Sequence, residues 1–178
     1  MDQLNQCPPT LLTARKVLPP QVRHDRGMDV PDATASPARV YVDMVGDLFH
    51  AGHVELLRAA RSRGQWLVVG VLSDETAASY KRRPIMTLAE RVAVIEACRH
   101  VDEVVPDAPF EVDAQFLAEH EIDLVVHGDD LTPEAAEQVY GAAVAAGKLE
   151  CVPRTPGIST TEVIQRVRDS FPSGHLTH

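Results

Sequence analysis

The stretch from Val40 to Leu57, VYVDMVGDLFHAGHVELL, constrains the rest of the chain most, because an apolar β-branched run breaks into a short loop carrying His50-Ala51-Gly52-His53 and resumes with helical spacing. Val40 to Val45 has the composition of a buried strand, while Val54, Leu57, Ala60 and Arg61 recur at helical intervals, with Gly64 as the stop. A strand that runs through a loop into a helix presents free backbone N–H groups and the positive end of the helix dipole, where an anion is stabilised. Phosphate fits such a turn. Each histidine offers a ring N–H to a phosphoryl oxygen, and the glycine between them lets the backbone approach a ligand. Taken alone, H-x-G-H also suits metal ligation or ordinary surface histidines. Zinc is disfavoured because Cys7, Cys98 and Cys151 are scattered and none lies in a C-x-x-C, so no metal is assigned to protein side chains.

A chain of 178 residues is long enough for one α/β core plus a tail. Its 17 basic against 26 acidic residues give a net charge of -9, which argues against nucleic acid or an anionic membrane as the main partner. Scattered cysteines suit a reducing compartment, and no apolar run reaches the roughly 18 residues of a membrane span. Residues 1–37 also lack the apolar core of a signal peptide, so a cytoplasmic protein is expected. Pro8, Pro9, Pro19, Pro20, Pro31 and Pro37 mark residues 1–38 as a flexible extension, with a short helix possible over Leu11 to Leu18 and an alternative start at Met28. The catalytic domain is expected over 39–172, and a tail over 173–178.

From Arg39 strand and helix patterns alternate. Trp66 to Leu72 is a nearly continuous apolar run, as in a parallel strand covered on both faces, and Trp66 is assigned to packing. A short helix is predicted over Asp74 to Tyr80, followed by the basic loop Lys81-Arg82-Arg83-Pro84. Thr87 and Glu90 form a capping box that opens a helix to about Arg99. Glu103 to Val105 is a short strand, Phe110 to His120 an amphipathic helix, and Asp123 to His127 a strand ending in Gly128-Asp129-Asp130. Because ligands gather outside the carboxyl ends of parallel strands, the loops after the first and fourth strands are expected to face one crevice. Pro133 to Ala146 reads as a helix closed by Gly147, and Leu149 to Val152 as the last strand. Ser159 and Glu162 make a second capping box, whose helix start aims N–H groups and hydroxyls at any nearby anion. The order implies a doubly wound parallel α/β sheet.

The segments GDLFHAGHVELLRAAR, VVGVLSDE, KRRPIMTLAER, CRHVDEVVPDAP, VVHGDD and RTPGISTTEVI together resemble the cytidylyltransferases that activate phospho-alcohols with CTP: the ethanolamine-phosphate, choline-phosphate and glycerol-3-phosphate enzymes. The likeness covers about residues 39–168. It implies a Rossmann-like nucleotidyltransferase domain, a homodimer, and a place in phospholipid or phosphonate biosynthesis. It also implies that CMP passes from CTP to a small phosphomonoester, with Mg²⁺ bound through the CTP triphosphate and pyrophosphate released. By the same resemblance His50 and His53 contact the triphosphate and stabilise the transition state. Lys81 bridges the acceptor phosphate and the α-phosphate, and Arg154, Ser159 and Thr160 hold the β- and γ-phosphates. Gly128 and Asp129 lie where cytosine is recognised, and Arg99 lies near the nucleotide and dimer interface. Asp47 and Gly52 are assigned to the nucleotide site within the histidine loop, with Asp47 there to orient the loop or a histidine. The chemistry is coherent, since a phosphomonoester has its second pKa at about 6 and attacks as a dianion, leaving positioning and charge neutralisation to the protein.

The chain departs from the family's G-x-F-D before the first histidine, reading Met44-Val45-Gly46-Asp47 instead. That leaves the acceptor open among phosphoethanolamine, phosphocholine, glycerol-3-phosphate and hydroxyalkyl- or aminoalkyl-phosphonates. An adenylyltransferase of the same superfamily and a catalytically silent nucleotide-binding protein are the competing functions. His100, His120, His127, His175 and His178 are assigned to structure or surface, Asp130 to a turn or to the site, and Arg82 or Arg83 to a possible share in the role of Lys81.

Overall fold

The computed structural model describes residues 39–171. Its elements are β1 (Arg39–Met44), α1 (Ala51–Arg61), β2 (Trp66–Val71), α2 (Asp74–Tyr80), α3 (Leu88–Glu96), β3 (Glu103–Pro106), α4 (Ala114–Glu119), β4 (Leu124–Gly128), α5 (Pro133–Ala145), β5 (Leu149–Val152) and α6 (Thr160–Ser170). The strands form one parallel sheet in the order β3-β2-β1-β4-β5, which is the doubly wound α/β sheet expected. Expectations for residues 1–38 and for the tail, with His175 and His178, lie outside the described residues.

Strand alternation sorts the core into two layers. Val40, Val42 and Met44 point to one face, where they meet Leu57 and Ala60 of α1 and Ile95 of α3. Tyr41 points to the other, against Phe116 and Leu117 of α4 and Tyr140 and Ala143 of α5. Asp43 follows Tyr41 on that second face, at the carboxyl end of β1. The chain winds from β1 outward to β3, then returns to place β4 on the other side of β1, so the switch point lies between β1 and β4. β1 pairs with β2 along its whole length, from Arg39 with Trp66 to Met44 with Val71, whereas β1 and β4 pair only through Val40 with Leu124 and Tyr41 with Val125. Beyond Tyr41 the two strands part, and a crevice opens.

Several boundaries differ from the sequence reading. The helix expected over Phe110–His120 begins at Ala114, because Val112 is buried and donates its N–H to the Val139 carbonyl at 2.7 Å, leaving Asp113 to cap Phe116 N at 2.7 Å. α3 stops at Glu96 rather than near Arg99, since Cys98 N turns back to the Ile95 carbonyl and Val101 N to that of Cys98. β1 ends one residue early, ahead of Gly46 at φ 69°, and α1 is closed by Ser62 rather than Gly64. Trp66 does not pack in the core. It is 42% exposed at the amino end of β2, with Nε1 donating to Glu103 at 3.2 Å. Both predicted capping boxes start helices, Thr87 with Glu90 in full and Ser159 by accepting from Glu162 N at 3.2 Å.

Candidate active site

The crevice at the carboxyl ends of β1 and β4 has a volume of about 630 Å³. Its walls come from the loop after β1, the end of α2 with the segment Lys81–Pro84, the end of β4, and the stretch from Pro153 into α6. The loops after the first and fourth strands therefore do share one crevice.

The histidine loop is built by helix capping. His50 is the residue before α1, and its Nδ1 accepts from Gly52 N at 3.1 Å, while Nδ1 of His53 accepts from His50 N at 3.2 Å. Each histidine thus spends its Nδ1 lone pair on a backbone N–H, so the proton of each neutral ring sits on Nε2. The rings stack at 3.9 Å, and Phe49 lies against His53 at 5.4 Å. Burial lowers the pKa of both, that of His53 to about 4 with His50 adding to the effect. At neutral pH the pair consists of two neutral Nε2–H donors rather than cations. Gly52 cannot be enlarged without strain, since a Cβ there would stand 3.0 Å from the His50 ring and 3.3 Å from Ile158.

Positive charge comes from elsewhere. Lys81 lines the crevice with Nζ 5.2 Å from the Tyr80 ring centroid, and makes no ion pair among the described residues. Arg154 also lines it, held by Asp129, which accepts from its backbone N–H at 3.1 Å, and by Asp130, which accepts from its guanidinium at 3.1 Å. Ser159 and Thr160 line the crevice at the start of α6, where the first-turn N–H groups point. Gly128 also lines it, and a Cβ there would stand 2.9 Å from the Asp130 carboxylate, which would have to shift.

Of the predicted residues, His50, His53, Gly52, Asp47, Lys81, Gly128, Arg154, Ser159 and Thr160 converge here. Asp129 stands behind Arg154. Arg99 is exposed in the turn after α3 and is not in the lining. Arg82 is committed to Asp47 at 2.6 Å, and Arg83 reaches only toward Glu75 at 3.8 Å. Asp43, Tyr80 and His127 are among the lining residues that escaped the sequence reading. Asp43 accepts from the Tyr140 hydroxyl at 2.7 and 2.9 Å, and burial holds its carboxyl above the ordinary value against the pull of Tyr140, His127 and Lys81. A carboxylate inside an otherwise apolar strand was the signal available for it. His127, assigned to structure or surface, instead faces the crevice with Nδ1 donating to the Gly128 carbonyl at 2.9 Å.

The sequence profile of the cytidylyltransferase-like family matches residues 46–166, more than half of the chain. The chain belongs to this family. It is similar to the ethanolamine-phosphate cytidylyltransferase of Dictyostelium discoideum, 42% identical over 132 residues, covering 74% of this chain and 37% of that one. The choline-phosphate cytidylyltransferase A of Homo sapiens is 41% identical over 134 residues, covering 74% of this chain and 36% of that one. The ethanolamine-phosphate enzyme of Arabidopsis thaliana is 39% identical over 137 residues, with 74% and 32% covered. The chain thus spans about a third of the length of the curated relatives it matches. Among solved structures, a lipopolysaccharide core biosynthesis protein of Thermoplasma volcanium GSS1 superposes with a TM-score of 0.56 at 25% identity, covering 67% of this chain and 97% of that one. The family's nucleotidyltransferase fold is the doubly wound sheet described above.

Proposed function

We propose that the protein is a nucleotidyltransferase that moves CMP from CTP to a small phosphorylated or phosphonylated alcohol. An acceptor oxygen attacks the α-phosphorus, a P–O–P bond forms, and the bond to the bridging β-oxygen breaks, so that pyrophosphate leaves with the electron pair. The observation that carries this reading is the convergence on one crevice of the His50 and His53 ring donors, Lys81, Arg154 and the amide-bearing start of α6. Two anions must meet for the reaction to occur, and on a chain of net charge -9 this crevice gathers the groups that offset their repulsion. Arg154, Ser159 and Thr160 hold the leaving phosphates, Lys81 brings the acceptor to the α-phosphate, and the Nε2–H groups stabilise the charge that develops there. Gly128 offers its backbone to the nucleobase, whereas Asp129, outside the lining with its N–H donated to the Val152 carbonyl at 2.9 Å, holds Arg154 in place.

In this reading Mg²⁺ would come bound to the CTP triphosphate rather than to protein side chains. Bound that way, the ion would neutralise phosphate charge. The same proposal includes a homodimer in the cytoplasm, with neither nucleic acid nor a membrane as partner. Arg99 would join the nucleotide site only across such a dimer.

Asp43 narrows the acceptor. A half-buried carboxylate braced by Tyr140, with Tyr80 beside it in the lining, suits a cationic head group whose charge offsets its desolvation. Phosphoethanolamine, phosphocholine and 2-aminoethylphosphonate are favoured over glycerol-3-phosphate and 2-hydroxyethylphosphonate. The test is pyrophosphate release from CTP or ATP across that panel with Mg²⁺, for the wild type, His53→Ala and Asp43→Asn. Turnover with CTP and a cationic acceptor is expected, with His53→Ala lowering kcat far more than it raises the KM for CTP, and Asp43→Asn raising the KM for the acceptor. Turnover with ATP alone would point to the adenylyltransferase, and none with any pair to a silent nucleotide-binding protein.

A further inference from the structure

The three parts of the crevice that would touch phosphate come from distant parts of the chain: the histidine loop after β1, the Lys81–Met86 strap between α2 and α3, and the start of α6. One residue is bonded to all of them. Asp47 lies in the histidine loop and is 4% exposed. Its carboxylate accepts from the Arg82 guanidinium at 2.6 Å, from Ile85 N at 3.0 Å and from Met86 N at 3.0 Å. Its backbone carbonyl accepts from the Thr160 hydroxyl at 3.0 Å. Burial by itself would raise the Asp47 carboxyl, yet the Met86 and Ile85 amides and Arg82 outweigh it and hold the group below its ordinary range, so the carboxylate stays ionised. These bonds use its capacity as an acceptor and leave it little to offer a nucleotide.

The far side of the strap is fastened too. Met86, whose N–H goes to Asp47, gives its carbonyl to the wholly buried Arg91, which also donates to the carbonyls of Val45 and Leu72. Fixed at Arg82, Ile85 and Met86, the strap leaves only its first residue, Lys81, with its ammonium free of any ion pair among the described residues and lining the crevice. Arg82 supplies the clasp and Lys81 the reach.

We propose that Asp47 is a positioning residue, clipping the lysine strap and the start of α6 to the histidine loop so that Lys81, the two rings and the α6 amides share one fixed geometry. The inference deepens the cytidylyl-transfer reading and rests on it for its kinetic consequence, but its structural part stands apart from any activity.

Two measurements on the full chain test it. In the unliganded protein, Asp47→Asn should speed hydrogen exchange of the Ile85 and Met86 amides by roughly tenfold or more while leaving the β1 and β2 amides unchanged, since bonds to a charged acceptor are the strong ones. Unchanged exchange at both amides overturns the proposal, whether or not the protein turns over CTP. In the assay, Asp47→Asn should lower kcat with little change in the KM for CTP. In a Lys81→Ala background it should add almost nothing, because the effect passes through the lysine. If the two losses instead multiply as independent changes do, Asp47 does not act through Lys81 and the proposal fails. Should Asp47→Asn fail to fold, Arg82→Met opens the clasp from its half-exposed side, and the same two readings decide.

Discussion

The histidine pair holds a conflict that pH will expose. The His53 ring titrates at about 4 in the folded protein, against 6.5 for an unperturbed histidine. Between those values the unfolded chain takes up a proton that the folded one refuses, so this contribution is complete above the higher value and is lost as pH falls toward the lower. Over the whole window it amounts to at most roughly 3 kcal/mol. Urea unfolding followed from neutral pH down toward 4 should show the loss, and His53→Gln should flatten it. Arg91 gives a second case. Its guanidinium is wholly buried, bonded to three carbonyls and to Asp74, so Arg91→Leu strands several polar groups and should cost roughly 3 kcal/mol or more in a thermal melt. Arg91→Lys should recover only part of that, because an ammonium cannot span the same acceptors. The two residues differ in how readable they are. His50 and His53 are legible because a short motif must carry its own geometry, with each ring capping the helix that follows. Helical spacing gives Val92 and Ile95 to the inner face of α3, but nothing local reports that Arg91 reaches back under two strand ends.

Among the elements, β2 shows how closely the layers fit. Gly70 lies opposite Asp43, and a Cβ there would stand 2.1 Å from the Tyr41 hydroxyl and 2.9 Å from the Ala108 side chain. Tyr41 itself is fully buried, and its hydroxyl has no hydrogen-bond partner among the described residues. Gly70→Ala should therefore cost about 1–3 kcal/mol through overpacking. Adding Tyr41→Phe should return part of it, since it removes the colliding oxygen along with an unsatisfied polar atom; equal melts for the single and double variants would contradict this contact. The succession of strands and helices along the chain and both capped helix starts were readable from periodicity and caps, which are local signals. The start of α4 was not, because the 2.7 Å bond from Val112 N to Val139 fixes it across the fold. α6 is a different kind of element, with an apolar side at Val163, Ile164 and Val167 but no buried residue. Its start is tied down by Thr160 and Ser159, so its amides should exchange faster toward Ser170 than near Val163.

For the whole molecule, the crevice is a consequence of connectivity. Winding in two directions from the centre places β1 and β4 side by side, and their pairing through only two residue pairs leaves everything beyond Tyr41 and Val125 available to a ligand. The placement of the site at a switch point was foreseeable, but Asp43 as its inner wall depended on which way β1 turns its side chains. At the opposite end of that sheet stands the only tryptophan of the chain. Trp66 opens β2, whereas Val71 closes it beside the crevice, a separation of roughly 17 Å along the strand. Its indole is bonded to Glu103 and lies 5.8 Å from the Arg39 guanidinium. The protein thus carries a built-in fluorescent reporter placed away from its own chemistry. Titrating a nucleotide should leave the emission spectrum unchanged, while the temperature at which that spectrum shifts on melting should rise with nucleotide concentration.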